Sequence, residues 1–210
     1  MLISASELTA SPGKSSHLGA LVAKMRDTLS KESGKPWSAW AAVTGRPYGT
    51  FVLSARSEDY ADMIASQMKV AVSTDWAALA ATADGLLFQP APSTLTEVIA
   101  VTGEPTAPKQ FTLVTRAVID RSAMMDAIAW STQVAEHVTK VTGVSTIVGT
   151  SAAGKMFEVT WLAGVDTPAE MDKMNSINTD AGYLEMIAAA GANKLFEQGS
   201  SERMLLTKLP

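Results

Sequence analysis

Leu18, Leu21, Met25 and Leu29 are spaced three, four and four residues apart, the period of one face of an amphipathic helix. When Gly34 is laid on Gly143, a gapless offset of 109, the same face returns as Ala127, Trp130, Val134 and Val138. Beyond each helix the pattern changes to short alternating or apolar runs. "WSAWAAVTG" and "GTFVLSA" in the first half, then "VSTIVGT" and "KMFEVTWLA" in the second, read as pairs of strands joined by a turn, with Phe51 laid on Phe157.

Further along, "STDWAALAATADGLLFQP" matches "NTDAGYLEMIAAAGANKLFEQG". Each has Thr-Asp as a helix cap, an aromatic (Trp76, Tyr183), an alanine-rich helix, and Leu-Phe (Leu87-Phe88, Leu195-Phe196). Self-similarity at half the chain length means a duplicated unit.

Each unit reads β-α-β-β-α-β, the ferredoxin-like split βαβ order. Strands are expected near 2–8, 37–44, 49–55 and 94–101, then 111–119, 144–149, 156–163 and 202–209. The expected division is a first ferredoxin-like unit over 1–101, a linker over 102–110 and a second unit over 111–210. A four-stranded sheet with both helices on one face leaves the other bare, so two tandem units can bury those faces sheet to sheet as an intrachain α/β barrel of the α+β class.

This pattern resembles the dimeric α/β-barrel superfamily of NIPSNAP-like, antibiotic-biosynthesis monooxygenase-like and stress-responsive barrel proteins. The stretch Asn178-Thr179-Asp180, Tyr183, Leu195-Phe196, Gly199 and Ser200 is similar to the ending of NIPSNAP-like members. The resemblance implies a barrel interior that takes a small apolar or aromatic metabolite. It also implies activities ranging from oxygenases and isomerases to haem enzymes and inactive members, so enzymatic status stays open.

In such a barrel, charged residues in mid-strand face the interior or an edge. On the strand near 156–163, Phe157, Val159 and Trp161 share one face, and Glu158 and Thr160 the other. Arg116 shares a face with Thr112, Val114 and Val118 and aligns with Glu7. Glu7, Arg116 and Glu158, with Ser54 and Thr160, are therefore the candidate polar lining. They make either a structural ion pair or a ligand site in which Arg116 holds a carboxylate or enolate and Glu158 accepts a proton. One of Trp37 and Trp40, which lie on opposite strand faces, is expected to join Tyr48 around an apolar pocket. Trp130 and Trp161 occupy core-stripe positions and are read as packing.

The charge pattern narrows the partners. Net charge is -4 with 17 scattered basic residues, which gives no nucleic-acid footprint. The absence of cysteine removes disulfides, thiolate nucleophiles and thiolate metal sites. His17 and His137 do not coincide in the repeat and have no metal-ligand spacing, so no metal is expected, and no cofactor beyond the alternative of haem on His137. "GTSAAGK", Gly149 to Lys155, has the letters of a phosphate loop, but the alternating run after it is a strand where a phosphate cradle needs a helix.

With no basic leader in "MLISASEL" and no long apolar run, the protein is expected to be soluble, cytoplasmic and not membrane-bound, as a monomer or homodimer. Two functional readings follow: a barrel that binds an apolar or aromatic metabolite, acting as a cofactor-free monooxygenase-like or isomerase-like protein, or a non-enzymatic structural or interaction protein with a filled barrel.

Overall fold

The structure, a computed structural model, describes residues 1–104 and 107–210; the expected linker over 102–110 thus falls partly outside the described residues. The strands are β1 (Leu2–Thr9), β2 (Trp37–Thr44), β3 (Thr50–Ser57), β4 (Ser93–Thr102), β5 (Phe111–Val118), β6 (Thr146–Ala153), β7 (Glu158–Val165) and β8 (Glu202–Lys208). The helices are α1 (Ser15–Ser33), α2 (Tyr60–Ala71), α3 (Thr74–Ala81), α4 (Met124–Thr142), α5 (Pro168–Asn175) and α6 (Ala181–Ala192). The strands hydrogen-bond in the cyclic order β1-β3-β2-β8-β5-β7-β6-β4, so the sheet closes into a barrel. Each half runs 4-1-3-2 within that order, the ferredoxin-like arrangement.

Two compact units are distinguished: residues 1–97 with 206–210, and residues 98–205. In the first unit, Ser93 to Glu97 of β4 pair antiparallel with Ser6 to Leu2 of β1. The tail of the chain also belongs there: the Leu209 amide donates to the Ala39 carbonyl, and the Arg26 guanidinium donates to the Leu209 carbonyl. The core of this unit is α1 against the sheet, with Leu18, Leu21, Val22, Met25 and Leu29 buried over Leu8, Phe51 and Leu53.

The second unit repeats the plan with different filling. Ala127, Val134 and Ala135 of α4 are buried, and Ala117, Val148 and Val159 come from the sheet. Both long helices end identically. Gly34 and Gly143 sit at φ 75° and 72°, and their amides cap the Ser30 and Thr139 carbonyls. This left-handed cap suits glycine and is the physical reason those two glycines align the halves.

Strand registers define which residues are equivalent. Leu8 pairs with Phe51, and Ala117 with Val159; Trp37 pairs with Ala55, and Thr146 with Ala163. Phe51 therefore corresponds to Val159 rather than to Phe157, which precedes β7 at φ 60°. Similarly, Ala10 bridges Leu87 and Ile119 bridges Phe196, so Leu86-Leu87 is the counterpart of Leu195-Phe196. Phe88, one residue displaced, is 67% exposed.

The glycine loop is a hairpin. Gly149 to Ala153 lie in β6, Thr150 pairs with Val159 of β7, and Gly154 turns the chain at φ 113°. A strand follows, so no helix N-terminus aims amides at an anion there.

In the second unit Thr102, at the end of β4, ties three elements. Its buried hydroxyl donates to the Thr146 carbonyl at 3.1 Å, accepts from the Thr146 amide at 3.1 Å and bonds the Thr139 hydroxyl. Thr102→Val strips these partners while keeping the shape, which costs about 2 kcal/mol. A scanning-calorimetry Tm lower by roughly 4–8 °C is the expected outcome.

Candidate functional site

A cavity of about 950 Å³ opens in the second unit between the helix-facing side of its sheet and the helices. Leu113, Thr115, Ala117, Trp161 and Ala163 form the strand side. Trp130, Val134, Ala135 and Val138 of α4 face it, while Met174, Ile177, Tyr183 and Ala190 close it from the α5 and α6 segment. Its rim is polar, with exposed Asn178, Lys194 and Arg203.

The corresponding space in the first unit holds only about 240 Å³. The register explains the difference. Leu8, Met25 and Leu29 of the first core become Ala117, Val134 and Val138, and the bulk of Trp37 becomes the small side chain of Thr146. Deep positions that are filled in one unit are short in the other, and protein interiors do not leave such space without consequence for packing.

The volume removed there returns as an aromatic wall. Trp130 and Trp161 replace Leu21 and Leu53, and with Phe196 they form a triangle with centroid separations of 6.2, 5.3 and 5.9 Å, all edge-to-face. Both indole N–H groups are satisfied: Trp130 donates to the Met186 carbonyl and Trp161 to the Ser131 carbonyl, each at 3.0 Å. These bonds fix the rings and tie α4 to α6 and to β7.

Asp180 starts α6. Its carboxylate accepts from the Tyr183 amide at 2.8 Å and lies 2.6 Å from His137 Nε2 on α4. These two contacts, His137 first, hold the Asp180 carboxyl below its ordinary value of 3.8. Thr146 Oγ1, on a residue only 3% exposed that lines the cavity, has no hydrogen-bond partner among the described residues.

The residues singled out in the sequence lie elsewhere. Glu7 pairs with Arg46, Nε to Oε1 at 3.1 Å. Arg116 and Glu158 do come together in the second unit at 3.7 Å, with Arg116 Nε buried and making no hydrogen bond among the described residues. Thr160 is buried opposite Arg116 in the ladder. Trp40 is buried and donates from its indole to the Ser54 hydroxyl at 2.9 Å. Trp37, on the opposite strand face, donates to Ser33 and packs on the first core. Tyr48 is 92% exposed beside Pro47 and Phe88, away from Trp40.

None of these eight side chains lines the large cavity. Trp130, Trp161, Phe196, Tyr183 and Thr146 do, and their signal in the sequence was faint: two tryptophans on core stripes, where the first unit carries Leu21 and Leu53. The residues do not fit a haem. Neither histidine lines the cavity, and His137 Nε2 is engaged by Asp180. Among the described residues no cluster of three His, Cys, Asp or Glu side chains is placed to hold a metal ion, and no helix is long and apolar enough to cross a membrane.

A carboxyl depressed in the fold adds stability that is present above its unfolded value and lost as pH falls through its folded value. The stability gap between the wild type and Asp180→Asn is thus expected to be full above the ordinary carboxylate range and to shrink as pH falls through the lowered value of Asp180. Urea midpoints measured across that range check it.

No family model and no curated protein match the chain. Solved structures do. A provisionally assigned monooxygenase of Fusobacterium nucleatum superposes on 100% of this chain and 92% of its own, with TM-score 0.73 at 9% identity. An anthrone oxidase-like protein covers 100% and 91%, with TM-score 0.68 at 11% identity. A second provisionally assigned monooxygenase, from Lactobacillus acidophilus, covers 99% and 93%, with TM-score 0.63 at 10% identity. At such identities the likeness is one of fold: the chain has the fold of the monooxygenase-like α/β barrels, with both ferredoxin-like halves in one polypeptide.

Proposed function

We propose that this chain binds a flat, fused-ring aromatic molecule in the helix-side cavity of its second unit and oxidises it as a monooxygenase-like enzyme. The observation that carries this reading is the cavity itself, about 950 Å³ behind a fixed triangle of three aromatic rings. That volume lies within the range of small-molecule sites, and the combination of apolar walls with a few polar rim groups is their usual chemistry. From Ala117 to Leu113 the strand side runs four residues of β5, roughly 13 Å, which accommodates a fused three-ring system.

The oxidative part of the proposal draws on the fold likeness, in which an anthrone oxidase-like protein supplies the probe chemistry. Anthrone is such a ring system, and its activated methylene carbon reacts with dioxygen: both C–H bonds there are replaced by a C=O bond, the second oxygen atom leaves with the two hydrogens as water, and anthrone plus O2 gives anthraquinone plus H2O. Within the cavity the chain's own contribution is to orient the rings against Trp130 and Trp161, to exclude water and to leave the rim open for substituents.

Anthrone titrated into the wild type is expected to quench tryptophan fluorescence saturably and to drive oxygen uptake at an electrode. Ala117→Leu combined with Val138→Leu restores the residues of the first unit. It is expected to weaken anthrone binding more than tenfold with no fall in Tm. A wild type that shows no saturable quenching returns the chain to the scaffold reading.

A second reading rests on Arg116, whose buried Nε makes no hydrogen bond among the described residues and stands beside Glu158. Here a carboxylate or enolate ligand completes the guanidinium on the sheet face turned away from the helices. Arg116→Met leaves anthrone affinity within about twofold of wild type if the helix-side cavity is the site; a tenfold loss favours this second reading instead.

A further inference from the structure

Helix α2 of the first unit starts from Asp59, whose carboxylate caps the Asp62 amide, and it turns Met63, Ser66 and Val70 inward. Its opposite face carries Tyr60, Ile64 and Met68, spaced four apart and continued by Val72 at the helix end, with Ala61 and Ala65 beside them. All six are exposed, the four large ones by between 48% and 80%. A surface helix ordinarily turns polar and charged residues to solvent. Here the outward face is apolar for its whole length, roughly 18 Å.

The second unit shows that the fold does not require this. Ser57 and Val165 are equivalent through their pairing with Leu2 and Phe111, and the helix caps Asp59 and Thr167 each follow two residues later. Where α2 has Tyr60 and Ile64, α5 therefore has Pro168 and Asp172, and its segment ends in exposed Asn175 and Ser176. An apolar stripe kept in one copy of a duplicated helix and replaced by polar residues in the other marks an interaction surface.

The charges beside the stripe say what fits it. Glu58 precedes the cap and Lys69 lies in the last turn, and helical geometry puts both on the same flank of the stripe, near its opposite ends. When two copies of α2 pack antiparallel about a two-fold axis, that flank meets itself reversed, so that Glu58 stands across from the partner's Lys69 and the helix dipoles oppose each other. The ridge of large residues at i and i+4 then lies in a groove of the partner helix, and Ala61 and Ala65 permit the close approach. Glu58, Asp59 and Asp62 at the helix start disfavour a lipid surface, whose charge is negative.

We propose that α2 is a self-association surface: two copies of this chain pair their α2 helices antiparallel, burying the Tyr60-Ile64-Met68-Val72 stripe of each. The two faces together bury on the order of 1,000 Å², the low end for a specific interface and the size expected of a reversible one. Such a dimer is isologous and closes on itself, so it does not grow into a fibre.

Sedimentation velocity on the whole chain tests this. The wild type is expected to show a monomer–dimer equilibrium with a Kd of about 10–100 μM. Ile64→Asp combined with Met68→Ser is expected to weaken it more than tenfold with Tm unchanged, because both positions are exposed. Glu58→Lys and Lys69→Glu, each folded by circular dichroism, are expected to weaken it about tenfold alone, while their equimolar mixture returns to the wild-type Kd. Only the mixed pair carries opposite charges at both contacts. A wild type that stays monomeric to about 1 mM leaves the stripe to a different protein and overturns the proposal. A dimer that survives Ile64→Asp with Met68→Ser also overturns it, by placing the interface elsewhere. A mixture of the two charge variants that associates no more tightly than either alone overturns the antiparallel pairing.

Discussion

The helix-facing side of a four-stranded sheet has to be covered, and the volume supplied at that layer decides whether a unit is solid or hollow. The first unit supplies it evenly: Leu8, Phe51 and Leu53 from the strands meet Leu18, Leu21, Met25 and Leu29 from α1. The second unit concentrates it. Ala117 and Val159 stand where Leu8 and Phe51 stood, while Trp130 and Trp161 gather with Phe196 at one side. The total of apolar atoms is not simply reduced. It is moved, and the cavity is the space it left.

The repeat was legible because it is written in features that act locally. A helical stripe with period 3.6 and a glycine in the left-handed cap can be read within twenty residues, and both long helices and all eight strands emerged close to their expected places. Registers were less legible. The turn between β2 and β3 spans 45–49, whereas that between β6 and β7 spans 154–157, one residue fewer. Matching Phe51 to Phe157 by residue type implies a turn three residues shorter instead of one, and so shifts the strand by two. The resulting alignment kept the correct face, since side chains alternate with period two, but lost the identity of Leu53 with Trp161.

The cavity was not legible for a different reason. A tryptophan on a core stripe signals burial, and Trp130 and Trp161 are indeed packed. What makes them a wall is the smallness of residues on other elements: Ala117 on β5, Ala135 on α4, Ala190 on α6. Those relations become visible only when register and helix placement are known. The charged strand residues Glu7, Arg116 and Glu158 were easy to notice because charge in mid-strand is rare. Within their units they are accounted for by ion pairs with Arg46 or with each other. A conspicuous residue marks a constraint, which is as often electrostatic compensation as chemistry.

A hollow layer has less apolar contact to hold its helices in place, and the second unit compensates with directional bonds. The Trp130 indole reaches the Met186 carbonyl and joins α4 to α6; the Trp161 indole reaches the Ser131 carbonyl and joins β7 to α4; His137 meets Asp180 at the start of α6. Each of these bonds spans two elements that border the cavity, so the separation between roof and floor is set by geometry rather than by filling. The first unit has a direct comparison in Trp37, whose indole also donates, but to the Ser33 hydroxyl on the adjoining helix end and with its ring in the gap. The same residue type thus serves opposite ends in the two halves: as filler where the layer is closed, and as a hydrogen-bonded strut where it is open. Duplication makes this division affordable in stability, because the solid copy keeps a complete core while the other gives up part of its own.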